Sequence, residues 1–194
     1  MKHRQIIDWK AYYDEEEEIE ALGDREEAAA RRQLLQELYE KDLAYQLHIL
    51  NYNYRQYCSS IVSRGLRFEA IPKEIAAAKW DVFFAADLTE EDRQGIYYDQ
   101  YKWHMFSYEC VACRKGDNAR RAFDICKRGA AYLFIQHTDE AWYIENADLL
   151  AAADMDADFF FERADVYIFD AEGKWAYART HEKPCGPYFL RMKQ

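Results

Sequence analysis

The chain has 194 residues and a mass of 23.2 kDa, room for one domain of ordinary size and an appendage but not for two full enzyme domains. Half of its residues are apolar and 16% are aromatic, with three Pro and seven Gly, a composition that excludes a disordered, collagen-like or linker-dominated chain. A formal charge of -10 argues against a nucleic-acid binder, which needs a basic face to displace counterions from phosphates.

No run of about 18 apolar residues occurs, and the start MKHRQIIDWK lacks an apolar signal core, so neither a membrane span nor a secretory leader is expected. The expected compartment is therefore the cytosol. The odd number of cysteines, five, then points to reduced thiols rather than a disulfide framework. Charge is unevenly spread: Asp139 to Glu172 carries eleven acidic residues against the single Arg163, whereas Lys102 to Arg128 is mildly basic. An acidic run is usually a solvated face, and its functional reading is a surface that steers a basic protein partner.

Up to about residue 60 the pattern is helical. Trp9, Tyr12, Tyr13, Ile19 and Leu22 recur at helical spacing, Gly23 ends the segment, and Asp24 with Glu27 forms a capping-box pattern that starts a second helix running to about Tyr57. The stripe Leu35, Leu38, Tyr39, Leu43, Leu47, Leu50, Tyr54 and Tyr57 is too apolar to remain in water. It packs either on this chain's own sheet or across a two-fold axis, so the expected state is a monomer or a homodimer.

Beyond Gly65 the period changes. Gly65 to Ile71 reads as a strand, and Pro72 opens a helix that points Ile75, Trp80, Phe83 and Phe84 to the core. Thr89 caps another turn. Lys102 to Tyr108 alternates like a strand, and Asp117 caps a helix through Cys126, with Lys127 and Arg128 suiting its negative end. Ala130 to Gln136 and Ala141 to Asn146 read as a hairpin, and a helix covers Ala147 to Ala153. Asp165 to Asp170 and Lys174 to Thr180 are strands joined through Gly173, and Tyr188 to Arg191 is a last strand. Hairpin connections favour an α+β fold: an antiparallel or mixed sheet with flanking helices on one side, plus an N-terminal helical hairpin. The division is an extension over residues 1–60 and an α+β core domain over 61–194.

The segments WHMFSYE (Trp103 to Glu109), AYLFIQH (Ala131 to His137), DVYIFD (Asp165 to Asp170) and THEKPCGPYF (Thr180 to Phe189) together, in order and spacing, resemble the bacterial domain of unknown function 4275 family. The resemblance extends over roughly residues 61 to 191 and leaves the N-terminal helices outside. It implies a small, soluble bacterial protein whose unusual residues gather around Trp103, His104, His181 and Cys185. It supplies no established activity and no catalytic residue.

Cys185 lies between Pro184 and Gly186 with Pro187 following, on a stiff loop four residues from His181. A thiol–imidazole pair with Cys185 as nucleophile and His181 or His104 as base is one reading. Simple packing of a small buried thiol is the other. Cys110 and Cys113 form a lone C-x-x-C without a second pair at zinc spacing, so no metal site is expected. Neither phosphate-binding glycine motif occurs, and no cofactor is expected. Asp154, Asp156 and Asp158 alternate like the start of a calcium loop, but Phe159 stands where that loop needs Gly. They read as a solvated turn before Phe159, Phe160 and Phe161 return to the core.

The expectation is a non-enzymatic cytosolic binding protein, an inhibitor or immunity-like partner of another bacterial protein, with a small thiol-dependent enzyme as the alternative. The candidate cleft comprises Trp103, His104, Tyr108, His181, Cys185 and Tyr188, where the segment Thr180 to Phe189 lies beside Lys102 to Tyr108.

Overall fold

A computed structural model describes residues 7–126, 129–156 and 164–192; the expectations for Lys127, Arg128 and Phe159 to Phe161, and the lone Arg163, lie outside them. The chain forms two units, residues 1–57 and 58–194.

In the first unit, helix α1 (Trp9–Ala21) starts where the Asp8 carboxylate accepts from the Lys10 and Ala11 N–H groups. Helix α2 (Arg25–Ser63) starts the same way, with Asp24 accepting from Glu26 and Glu27 at 2.8 and 3.2 Å. Each aspartate satisfies amide donors that have no partner inside the helix. The break between them comes at Leu22, which turns to extended backbone (φ -67°, ψ 128°), so the left-handed freedom of Gly23 is not used. Arg31 bridges to Glu15 and Glu18 at 2.7 and 3.0 Å, and the Trp9 ring meets Tyr39 at 6.4 Å, which fixes α1 alongside the first part of α2. Helix α2 continues six residues past Tyr57, because no Gly or Pro interrupts it before Gly65.

The second unit is built on a seven-stranded antiparallel sheet. Its strands are β1 (Phe68–Ala70), β2 (Arg114–Lys115), β3 (Ala131–Ile135), β4 (Ala141–Ile144), β5 (Val166–Asp170), β6 (Trp175–Arg179) and β7 (Tyr188–Arg191), in the order β1-β4-β3-β5-β6-β7-β2. Strand β2 is a two-residue edge that the sequence pattern does not announce. The helices are α3 (Lys73–Phe84), α4 (Glu90–Gly95), α5 (His104–Ser107), α6 (Asp117–Ile125) and α7 (Ala152–Met155). The fold class is α+β.

Side-chain alternation along the strands separates two faces. Phe134, Tyr167, Phe169, Ala176, Ala178 and Tyr188 face a cluster centred on Trp80 of α3, whose ring lies 5.0–6.2 Å from those of Phe84, Phe106, Phe134, Tyr167 and Phe169. Trp175 and Tyr177 turn the other way and meet Phe123 of α6 at 5.8 and 4.6 Å. Helices therefore cover both faces of the sheet rather than one, because both alternating sets of β6 are apolar and each needs a cover.

Four local expectations change. Lys102 to Tyr108 is not a strand: hydrogen bonds from His104 N–H to Tyr101 and from Tyr108 N–H to His104 close the helical turn α5. Met105 and Phe106 are consecutive and both buried, which single-face strand alternation does not provide. Asp117 is the first residue of α6 and not its cap; Gly116 takes the cap position at φ 62°. The helix expected over Ala147 to Ala153 is two short pieces, a 3-10 turn (Ala147–Leu149) and α7. Ile75 lies 46% exposed on the outer side of α3, while Trp80 and Phe84 are buried. Among the described residues no helix is long and apolar enough to cross a membrane.

Candidate functional site

One end of the sheet gathers most of the residues singled out above. Ile135 pairs with Val166 and Val166 with Arg179, so the next residues outward, Gln136, Asp165 and Thr180, lie side by side at the ends of β3, β5 and β6. A 2.8 Å bond from the Gln136 N–H to the Asp165 carbonyl continues the ladder. All three side chains are buried, Asp165 completely. Asp165 stands two residues before Tyr167 and so shares its face, the one covered by α3 and α5.

His181 closes this corner. Its backbone N–H and its ring Nδ1 both meet Asp165 Oδ1, at 2.8 and 2.9 Å. With Nδ1 held by the carboxylate, Nε2 is directed away from Asp165, and Glu182 Oε1 lies 3.8 Å from it. Above the pair sits Tyr101, whose ring lies 5.0 Å from His104, 5.7 Å from His137 and 5.5 Å from His181. Three imidazoles thus surround one phenol. His137 occupies the turn between β3 and β4 at φ 40°, a conformation uncommon for a residue with a side chain.

Trp103 forms the floor, 2% exposed, with His104 against it at 4.3 Å and His181 at 6.1 Å. Its backbone N–H donates to the Tyr167 hydroxyl at 3.2 Å, which ties the start of α5 to β5. Tyr188 of β7 stacks on Trp103 and Phe106 at 6.4 and 5.4 Å, and burial pushes its phenol up to about 12. His104 Nδ1 meets the Ile96 carbonyl at 2.5 Å, so this imidazole braces the preceding loop. Tyr108 is 54% exposed at the rim, 5.4 Å from His104.

Cys185 ends a 3-10 turn (Lys183–Cys185) on the same connection. Gly186 approaches Thr180 so closely that a Cβ there would stand 2.8 Å from Oγ1, a contact that a side chain at 186 could not share. The thiol is pushed upward, first by the neighbouring Glu182 carboxylate, which favours the proton on sulfur, and then by burial, while Lys115 acts against these. Cys113, on the partly buried shell of the same core, is pushed up to about 11 by burial. The structure thus brings Trp103, His104, His181 and Tyr188 together and sets Cys185 and Tyr108 at their edge, but His181 is engaged with Asp165 and the Glu182 carboxylate favours the protonated thiol.

Sequence reasoning passes over Tyr101, Gln136, His137, Asp165 and Glu182. Asp165 carries a usable signal: an acidic residue in phase with Tyr167 and Phe169 on a strand whose other members are buried asks for a partner inside. Three buried polar atoms here, Trp103 Nε1, Gln136 Oε1 and Asp165 Oδ2, have no protein partner. Among the described residues no group of three or more His, Cys, Asp and Glu side chains is arranged to hold a metal ion.

An antiparallel α+β domain with a polar corner of histidines, tyrosine and a buried carboxylate is the class that this fold and site define. The family model of the domain of unknown function 4275 matches residues 65–189, and the chain belongs to that family. No curated protein and no solved structure matches the chain.

Proposed function

We propose that this chain is a non-enzymatic binding protein of the bacterial cytosol, an inhibitor or immunity-like partner of another protein, and that its family domain meets a basic surface of that partner at the corner around Tyr101, Tyr108 and His181. The state of Cys185 carries the reading. A nucleophile needs its thiolate, which a neighbouring cation or helix N-terminus would favour. The neighbour here is the Glu182 carboxylate, which favours the protonated thiol. Accessible at the corner are an aromatic and an acidic side chain: Tyr108 is 54% exposed and the Glu182 side chain 50%. Ring faces beside carboxylates suit lysine and arginine side chains, and the net charge of -10 steers such a partner from a distance.

The second reading, a thiol-dependent enzyme, draws on the Asp165–His181 pair, since a carboxylate that holds Nδ1 leaves Nε2 available as a general base. One experiment separates the two. With the full chain as bait, a partner bound by the wild type and lost by Glu182→Lys or Tyr108→Ala, at unchanged melting temperature, supports the binding reading. Turnover of a substrate that requires Cys185, with no partner recovered, overturns it.

A further inference from the structure

Helix α2 carries a stretch that the corner does not use. Its 39 residues extend about 58 Å, whereas the 13 residues of α1 extend only about 20 Å. The contacts of Trp9 with Tyr39, and of Glu15 and Glu18 with Arg31, set α1 against the first part of α2. From Leu43 to Tyr54 there are twelve consecutive residues without an Asp, Glu, Lys or Arg, in a chain that is 32% charged. Average composition would put about four charges there. Within this neutral window Leu43, Leu47, Leu50 and Tyr54 follow one another at intervals of four, three and four residues, the spacing of a seam between paired helices. Leu43, Leu47 and Tyr54 are 45%, 47% and 43% exposed, and Leu50 is half-buried.

We propose that this seam is a homodimer contact: α2 of a second copy of the chain lies antiparallel on it, with Leu43 opposite Tyr54 and Leu47 opposite Leu50. Three features select a second copy over another occupant. The spacing reads the same in both directions, so a two-fold axis between Leu47 and Leu50 matches every seam residue with another seam residue, as an isologous interface requires. A chain of charge -10 repels its own copies, and this window lets two of them approach without setting like charges face to face. The same register sets Arg55 of one copy on the same flank as Glu40 of the other, both exposed, so the window is closed at each end by opposite charges.

Sedimentation equilibrium of the full chain, over concentrations up to about 100 μM, tests the proposal. The wild type is expected to show reversible dimerisation, and Leu47→Glu to weaken it at least about tenfold, as the loss of a central anchor does. Arg55→Glu gives a second, milder weakening through the flanking charges. Ile75→Glu, on the exposed side of α3, leaves the dimer unchanged. Circular dichroism and melting temperature establish that each variant is folded. A wild type that stays monomeric at the highest concentration overturns the proposal, as does a dimer indifferent to Leu47→Glu. A Leu47→Glu variant that loses helicity or melts earlier as a monomer also overturns it, because the seam is then covered by its own chain.

Discussion

His181 gives both its backbone N–H and its Nδ1–H to a single oxygen of Asp165, at 2.8 and 2.9 Å, and so pins the connection between β6 and β7 to the start of β5. Because Asp165 is completely buried, Asp165→Ala strands both donors of His181, while His181→Ala removes the ring donor and leaves only the backbone N–H on the carboxylate. Asp165→Ala and His181→Ala are each expected to cost about 2 kcal/mol in urea unfolding, the range for hydrogen bonds to charged groups. The double variant should cost less than the sum, with a coupling of about 1 kcal/mol or more. Strict additivity would show that the pair does not act as one unit.

Much of the architecture was legible from pattern. The hairpin strands, the start of α3 after Pro72 and the Thr89 cap follow from alternation, fixed φ and a hydroxyl ahead of acidic residues, all of them local properties. Thr89 forms a full capping box with Asp92. The segment from Lys102 to Tyr108 was not legible, because its apolar residues allow either period and only the cluster around Trp80 selects the helical turn. The corner was legible in part. His104, His181 and Trp103 are conspicuous residue types, whereas Gln136 and Asp165 become notable only when the register brings strands β3 and β5 together. A pairing between positions 165 and 181 is a property of the sheet, not of the local sequence.

The core is rich in buried phenols, and that sets a limit at alkaline pH. Burial raises Tyr98, Tyr167 and Tyr177 well above their ordinary value, and Tyr188 to about 12. The folded state therefore holds these protons at pH values where the unfolded chain, ionising near 10, releases them. The stability so conferred is complete below about pH 10 and falls as pH rises. Tyrosinate absorbance should accordingly rise in two stages, exposed residues first and the buried set only together with loss of the helical signal. Full ionisation with the fold intact would contradict the assigned burial.

Gly173 in the β5–β6 turn is held at φ 77°, and a Cβ there would stand 2.6 Å from the Phe83 ring. Backbone strain and overlap add, so Gly173→Ala should destabilise by about 2–3 kcal/mol. Phe83→Ala in the same chain should recover the steric part and leave the conformational part. A melting temperature unchanged by Gly173→Ala alone would show that α3 does not sit against this turn.

The charged brace beneath α3 gives another expected loss. Lys102 Nζ and the Tyr98 hydroxyl both donate to Asp81 Oδ1 at 2.6 Å, and Lys102 and Arg93 lie 4.5 and 4.7 Å from the centre of the Tyr98 ring. Lys102 is only 8% exposed, so Asp81→Ala strands its ammonium. The expected cost is about 3 kcal/mol, whereas Asp81→Asn, which keeps an acceptor, costs less. Equal losses would show that charge plays no part in the brace.

The reading of this chain as a binding protein turns on the thiol of Cys185, and its alkylation rate against pH is the most direct measurement. In a variant with the other four cysteines replaced by serine, the rate with iodoacetamide should reach half its maximum above the ordinary thiol value of about 8.5. Glu182→Gln should shift that midpoint downward, because it removes the carboxylate that holds the proton on sulfur. A midpoint near or below about 7 that moves up in His181→Ala would reveal a thiolate stabilised by imidazole and contradict the account.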